Sequence, residues 1–330
     1  MRLTGHRGRF WFHLRVYAAA ALLVAALALP AAAATHEILF SYNASGEEEG
    51  LLKEVVAEFV AAHPGTNVRT ENIVGPHGSQ WFDQLLVRLA SGVDAPDVYL
   101  MELNKALGLI SRNRIMPLDA LIKRDGTDIA DLVPAGLQGV VYQGRIYGLP
   151  SRVDAAMFYA NMELLARAGL NLPKNDWTLD EFRRAAGQMT QDINGDRVAD
   201  VWGVEISSVR FLFAAWQTIF GGKILDADGE VVLDEPANVN ALEAVLELVS
   251  GYQVAPNPAA IPRGVGFPQG NVGFWYHYTF QIRSLREQAA HFNWDILPQP
   301  VGPAGPGNIL LGNMFMIDSQ TKEPDLAWEL

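Results

Sequence analysis

Two short strands, a break, a buried strand and a helix start follow one another in VVYQGRIYGLPSRVDAAMFYANMELL, residues Val140 to Leu165. Residues 142–147 have a glycine at their centre, as is typical of a tight turn between two strands. Pro150 biases the residue before it toward an extended backbone. Residues 155–159 are apolar without a breaker and predict a buried strand, and Asn161 opens a helical pattern. The pattern predicts an extended segment that leaves one folded body and enters another.

Two charged side chains, Arg152 and Asp154, lie where this segment crosses, and polar groups between two bodies are candidates to face a ligand. The run from Gly148 to Leu165 resembles the first interlobe crossing of the family 1 extracellular solute-binding proteins. These are the carbohydrate-type relatives of maltose-binding protein that feed ABC importers. Taken alone, the run also fits an ordinary strand-turn-strand inside an enzyme. Further matches along the chain favour the family.

Similar family patterns recur along nearly the whole mature chain. They are found at residues 97–101, 116–119, 177–182, 267–275, 310–317 and 322–330. Residues 267–275 look like the family's second crossing, in which a glycine-bearing turn leads a strand back to the first lobe. Residues 322–330 resemble the start of a further helix that stops in its first turns. We therefore expect the family's closing C-terminal helices to be absent.

Strands and helices alternate through the first part of the mature chain, with strands predicted at residues 38–42, 68–72 and 98–101. This order is typical of an α/β lobe with a largely parallel sheet. The resemblance implies the fold class: α/β, a two-lobed periplasmic binding protein of type II with central mixed, mostly parallel sheets and interlobe crossings. The first lobe is expected to comprise residues 35–150 and 275–330, and the second lobe residues 151–274.

An acidic cluster opens the first predicted helix, where Ser45 and Glu48 have the spacing of a capping box. Glu47, Glu49 and Glu54 complete the cluster near the positive end of the helix dipole. It is interpreted either as a solvated helix start or as a docking surface for the importer.

The N-terminal residues 1–34 have the pattern of a signal peptide. Four arginines and no acid precede an apolar run and then small residues, and the run is short for a membrane span. With these residues removed, the chain has 21 basic and 37 acidic side chains, a net charge of −16, which disfavours nucleic acid and anionic membrane surfaces as partners. The chain has no cysteine, so it has no disulfide and no lipid-modified cysteine. We expect a soluble periplasmic protein exported by the general secretory route.

Residues 192–200, DINGDRVAD, have the oxygen spacing of a calcium-binding loop. The expected ligands are Asp192, Asn194, Asp196, Asp200 and the backbone carbonyl of Val198. The loop departs from a full calcium loop because its glycine is at position 4, and because Gly203 replaces the glutamate of position 12. The alternative is an Asx-rich surface turn. We expect no cofactor to be required for ligand binding, and the loop predicts a structural Ca²⁺ away from the ligand.

Ligand contacts are predicted from topology and from the resemblance. In parallel sheets ligands gather at the carboxyl ends of strands, which brings Tyr42, Asn43, Glu102 and Asn104 near a site. The resemblance adds Trp275 and Tyr276 on the second crossing, and Gly312 with Asn313 at a strand end. The predicted ligand contacts are Asn43, Glu102, Arg152, Asp154, Trp275, Tyr276 and Asn313. Glu102 and Asp154 would accept sugar hydroxyls and Trp275 would stack on a sugar face.

No catalytic motif is present: G-x-S-x-G, H-E-x-x-H and a glycine-rich phosphate loop are all missing from the sequence. The function implied by the resemblance is capture of a sugar or small oligosaccharide in an interlobe cleft by a monomer, for delivery to the membrane permease of an ABC importer. Two alternatives stay open. One is a binding protein for glycerol phosphate or a polyamine, and the other is a secreted glycoside hydrolase that uses Glu102 and Asp154 as paired carboxylates.

Overall fold

The computed structural model describes residues 36–44, 46–72, 79–206, 208–226 and 230–330. The predicted signal peptide, residues 1–34, lies outside these residues, and so does Ser45 of the first predicted capping box. No helix in the described part of the chain has the length and apolar character that a membrane span needs.

Strands and helices alternate in the order expected for an α/β protein. The strands are β1 (His36–Tyr42), β2 (Thr66–Asn72), β3 (Val98–Glu102), β4 (Val141–Tyr142), β5 (Arg145–Ile146), β6 (Leu149–Asn161), β7 (Trp202–Ile206), β8 (Val272–Tyr278), β9 (Trp294–Leu297) and β10 (Leu310–Ile317). The helices are α1 (Glu47–Ala62), α2 (Ser79–Ser91), α3 (Leu103–Ile110), α4 (Asp119–Asp125), α5 (Pro134–Gly139), α6 (Met162–Arg167), α7 (Leu179–Met189), α8 (Val209–Ile219), α9 (Pro236–Ser250), α10 (Gln281–Gln288) and α11 (Pro324–Glu329).

The central sheet has the strand order β2-β1-β3-β10-β6-β8-β7, and β9 pairs with β6 off this path. The pairs β1–β2, β1–β3 and β7–β8 are parallel, as helix-connected strands usually are. The antiparallel pairs of this sheet all involve β6 or β10. The predicted α/β class with a mixed central sheet is confirmed.

Strand β6 changes its partners half-way along. Leu149 to Ala155 pair with β10, whereas Ala156 to Ala160 pair with β8. One continuous strand thus belongs to two groups of strands, as predicted from the pattern around Pro150. We call residues 36–155 and 310–330 the first lobe and residues 156–309 the second lobe.

The second crossing lies later in the chain than predicted. β8 pairs along its length with the second half of β6 and with β7, and β9 then pairs with residues 158–161 of β6. The chain rejoins the first lobe only in β10, which lies between β3 and β6. The predicted boundary at residue 275 was therefore wrong. A glycine-bearing turn before a strand buried on both faces does not reveal which neighbours that strand will pair with.

Each lobe has its own apolar core. In the second lobe, the rings of Phe158, Trp177, Phe182 and Phe274 pack with centroids 5.0–6.4 Å apart. In the first lobe, two clusters lie on the two faces of β3 and β10, and one of them extends over β1. Because burial of apolar area is the main stabilising term, each lobe can hold its shape while β6 connects them.

Helix α7 begins with the capping box that the sequence predicts. The backbone N–H of Glu181 donates to the Thr178 hydroxyl at 3.2 Å, and the backbone N–H of Thr178 donates to the Glu181 carboxylate at 2.7 Å. This exchange satisfies two N–H groups at the helix start. It fixes where α7 packs on β7.

Gly203 on β7 is held against the α7 backbone. A Cβ atom at this position would lie 2.1 Å from the carbonyl oxygen of Ala186. We expect Gly203→Ala to lower the free energy of unfolding by about 1–3 kcal/mol, because neither backbone can move without separating helix and sheet. Urea denaturation followed by circular dichroism measures the change.

The matched control is Gly187→Ala in α7, where an added Cβ meets no atom within 4 Å. Alanine there should be neutral or stabilise the helix by up to about 1 kcal/mol. Equal effects of the two substitutions would contradict the packing of β7 on α7.

His277 on β8 gives the second lobe a pH dependence. Burial among aromatic rings lowers the pKa of its imidazole to about 4, and its Nδ1 accepts the Tyr278 backbone N–H at 3.0 Å. The folded state therefore keeps the ring neutral, whereas the unfolded chain binds a proton near pH 6.5. The contribution of His277 to the free energy of unfolding should be constant above about pH 6.5 and fall as the pH drops from there toward 4.

Thermal unfolding between these pH values should show a smaller loss of melting temperature in His277→Gln than in the parent. The same substitution at the exposed His291 is the control. A parent and a His277→Gln variant with parallel pH profiles would show that the ring is not held neutral.

Candidate functional site

A cavity of about 1320 Å³ is lined by residues of both lobes. The polar and charged lining residues of the first lobe are Asn43, Glu47, Glu48, Glu102, Asn104, Lys105, Arg152, Asp154 and Asn313. The second lobe contributes Arg210, Phe280, Arg283 and Ser284. The volume of this cavity exceeds that of most sites for a single small molecule.

The first-lobe residues come from strand ends and helix starts. Asn43 follows β1, and Glu102 ends β3 and precedes α3. These positions agree with the rule that the carboxyl ends of parallel strands form the ligand side of an α/β sheet.

Three of the predicted contacts form one row across three neighbouring strands. Asn313 on β10 pairs in register with Glu102 on β3 and with Arg152 on β6. A register shift in the β10–β6 ladder follows directly, between Asn313 and Met314. Residues in register on adjacent strands are about 5 Å apart, so one ligand can reach a carboxylate, an amide and a guanidinium together.

Five of the seven predicted contacts line the cavity: Asn43, Glu102, Arg152, Asp154 and Asn313. Trp275 and Tyr276 do not line it. Trp275 is 8% exposed and packs against Tyr159 and Phe267, and Tyr276 is 3% exposed and packs against Phe158. They face opposite sides of β8 inside the second lobe, so the structure does not place them in the cavity lining as the prediction required. Both are core residues because β8 is covered on both faces.

The second-lobe side of the cavity was missed. Phe280 precedes α10, is 43% exposed, and is the aromatic side chain among the described lining residues. Its ring lies nearly parallel to that of Tyr278, with centroids 6.0 Å apart, and edge-on to His277. The signal that could have found it is the position after β8 and before a helix, which is the same kind of position as Asn43 and Glu102.

Ion pairs hold the carboxylates of the cavity. Arg152 contacts Asp154 at 2.8 Å and Glu48 at 3.1 Å, and Lys105 contacts Glu102 at 3.3 Å. The Thr279 hydroxyl donates to Asp154 at 3.0 Å. Asp154 is only 4% exposed, and a buried carboxylate requires such partners.

Glu47 pairs with Arg283 of α10, and both line the cavity. In total, the lining contains four carboxylates and four basic side chains, so it is formally neutral. The acidic start of α1 is therefore more than a solvated helix end, because Glu47 and Glu48 both pair with arginines of the cavity.

The predicted calcium loop is an exposed, Asx-rich turn. Asp192 accepts the backbone N–H groups of Gly195 and Arg197, and Asp200 accepts those of Ile193 and Asn194, at 2.7–3.1 Å. Asp196 likewise accepts the Val198 N–H at 2.8 Å. Among the described residues, no three His, Cys, Asp or Glu side chains are grouped to hold a metal ion. Calcium binding stays a prediction, and the hydrogen bonds agree with the alternative interpretation, the turn.

Comparison with known structures places the fold among ABC substrate-binding proteins. The substrate-binding protein Lmo0181 of Listeria monocytogenes, solved in complex with cycloalternan, superposes with a TM-score of 0.73 over 89% of this chain and 74% of its own, at 23% identity. At that identity the likeness establishes the two-lobed fold.

The chain is also similar in sequence to curated binding proteins. A binding protein of Brucella abortus (strain 2308) is 24% identical over 314 residues, which are 92% of this chain and 73% of the relative. The arabinooligosaccharide-binding protein of Bacillus subtilis (strain 168) is 27% identical over 214 residues, which are 65% of this chain and 48% of the relative.

The family model for bacterial extracellular solute-binding proteins matches residues 43–330. Of the described strands, only β1 lies outside that match. The match includes both halves of β6 and the two helix starts that meet at the cavity. The chain belongs to the bacterial extracellular solute-binding protein family.

Proposed function

We propose that the chain captures a sugar or small oligosaccharide in the cavity between its lobes, as the substrate-binding component of an ABC importer. The observation that carries the proposal is the row of Glu102, Asn313 and Arg152 in a cavity lined from both lobes. Sugar hydroxyls both donate and accept hydrogen bonds, and this row offers acceptors and donors side by side.

Apolar groups complete the lining that a sugar needs. The cavity is lined by the apolar side chains of Leu103, Leu310 and Leu311, and Phe280 presents a ring face to it. Sugar rings present C–H faces between their hydroxyls, and an exposed aromatic ring packs against such a face. Phe280 replaces Trp275 as the proposed stacking side chain.

Charge balance favours an uncharged ligand over the alternatives. Each carboxylate that lines the cavity has a basic partner, and the lining is formally neutral. A phosphate would have to compete with Glu47 and Glu48 for their arginines, and a polyamine would meet carboxylates that are already paired. Both would disrupt existing ion pairs, whereas a neutral polyol adds hydrogen bonds to them.

A hydrolase function has less support. Its acid and base would be Glu102 and Asp154, but Asp154 is buried and bonded to Arg152 and Thr279, and Glu102 pairs with Lys105. These contacts hold both carboxylates in place rather than leaving a carboxyl group free to protonate a leaving oxygen.

Ligand contacts from both lobes would favour a closed arrangement over an open one, by an amount equal to the difference in affinity. In the proposed cycle, membrane permease subunits recognise the closed monomer from the periplasmic side. Two named ligands of similar proteins, cycloalternan and arabino-oligosaccharides, are both uncharged oligosaccharides, in line with a neutral cavity.

A thermal-shift panel tests the proposal. Arabino-oligosaccharides, malto-oligosaccharides and cycloalternan would be compared with glycerol 3-phosphate and spermidine. A ligand bound only by the folded state raises the melting temperature, by about 2.7 kcal/mol of stabilisation at a concentration 100 times Kd. We expect at least one neutral saccharide to give a shift and the two charged solutes to give none.

Variants locate the binding site. Asn313→Ala and Phe280→Ala should weaken the affinity for the shifting saccharide at least about tenfold by calorimetry, since each removes a group that would be buried against the ligand. Trp275→Phe, a substitution in the core, should leave that affinity unchanged. A shift with spermidine alone, or release of 4-nitrophenol from a chromogenic glycoside, would overturn the assignment.

A further inference from the structure

We infer that the ion pair between Glu47 and Arg283 is a latch that draws the two lobes together before any ligand binds. Its consequence for ligand affinity depends on the proposed function, but its effect on the distance between the lobes does not. The latch makes the affinity for an uncharged ligand depend on ionic strength, although that ligand itself carries no charge.

The pair is distinctive in what it connects. Glu47 is the first residue of α1 in the first lobe, and Arg283 lies in the first turn of α10 in the second lobe. Every other ion pair found among the described residues joins two groups within one lobe, including Arg152 with Glu48 and Lys53 with Glu49. The Thr279–Asp154 hydrogen bond also joins the lobes, but it lies beside Ala155, where β6 changes partners.

The latch is therefore separated along the chain from the hinge. A contact beside a hinge is preserved when the lobes open, because the backbone there moves little. A contact between two helix starts on opposite lobes forms only when the lobes approach. The ion pair between Glu47 and Arg283 can form only when the lobes are close, and it stabilises that arrangement.

Helix dipoles explain why this contact needs a carboxylate. α1 and α10 both present their N-terminal ends to the cavity, and both ends carry partial positive charge. Arg283 adds a positive charge in the first turn of α10, where the dipole disfavours it. Without Glu47, two positive helix ends and a guanidinium would repel one another. Glu47 is favoured at the start of its own helix and neutralises Arg283 as well.

Exposure limits the strength of the latch. The Glu47 and Arg283 side chains are 71% and 63% exposed, so water and salt screen the pair. Exposed pairs of this kind change an equilibrium by about two- to fivefold. The latch thus biases the lobes toward closure without locking the cavity shut, and a ligand can still enter and leave.

The absence of cysteine allows a direct measurement on the whole chain. Glu58 on α1 and Glu243 on α9 are exposed and lie in different lobes, so Glu58→Cys with Glu243→Cys gives a pair of dye sites. Single-molecule energy transfer on the ligand-free protein reports the short-distance population. That population should fall about two- to fivefold when NaCl is raised from about 20 mM to about 0.5 M.

Glu47→Gln should lower the short-distance population at low salt to its high-salt value and remove the salt dependence. The reversed pair, Glu47→Arg with Arg283→Glu, should restore part of both. Glu49→Gln is the matched control, because Glu49 pairs with Lys53 on the same helix and within one lobe. If Glu47→Gln and Glu49→Gln gave the same distances and salt response as the parent, the latch would be refuted.

Calorimetry with the saccharide found in the thermal-shift panel adds the second readout. The dissociation constant should rise about two- to fivefold in Glu47→Gln at low salt and be unchanged in Glu49→Gln, because the competent closed fraction is smaller. A panel without any ligand would overturn the proposed function, while the energy-transfer result would still decide the latch. An unchanged dissociation constant together with altered distances would overturn its role in affinity.

Discussion

The structure depends on one strand that pairs with two groups of strands. β6 pairs with β10 as far as Ala155 and with β8 from Ala156 onward. Because backbone hydrogen bonds must be satisfied on both sides of that change, neither lobe can shift its register without disturbing the other. The side chains just before the change, Arg152 and Asp154, are held at a fixed place between the lobes. A shared strand with polar groups beside it supports the proposed binding site between the lobes.

The cavity uses charge to hold its own shape. Arg152 bridges Glu48 and Asp154, Lys105 holds Glu102, and Arg283 meets Glu47. These pairs fix the side chains that would meet a ligand, so less side-chain freedom is lost on binding. They also leave the lining without net charge, so the cavity favours binding of a neutral polyol over that of a phosphate or an amine.

Sequence patterns located the first-lobe half of the site but missed the second-lobe half. Asn43 and Glu102 could be found because strand ends in a parallel sheet follow a general rule, and Asn313 because its strand resembles the family pattern. Phe280 and Arg283 were missed because β8 was assigned as the returning strand. The run VGFWYHY is buried almost throughout, and a strand covered on both faces carries no alternation that would indicate its neighbours. Trp275 was assigned to the ligand for the same reason. The pairing of Glu47 with Arg283 joins residues 236 positions apart, and no local pattern encodes it.

The position of β10 has a consequence for biosynthesis. The second lobe is one continuous segment of chain, so all of its residues are present once the chain extends to residue 309. The first-lobe sheet has a gap between β3 and β6 that only β10 fills, and until then both of those strands present unpaired edges. Closing that gap requires contacts between residues about 200 positions apart, which form late in folding. Until β10 is in place, the chain would therefore carry one complete lobe and one incomplete sheet, whose open edges can pair with strands of other chains.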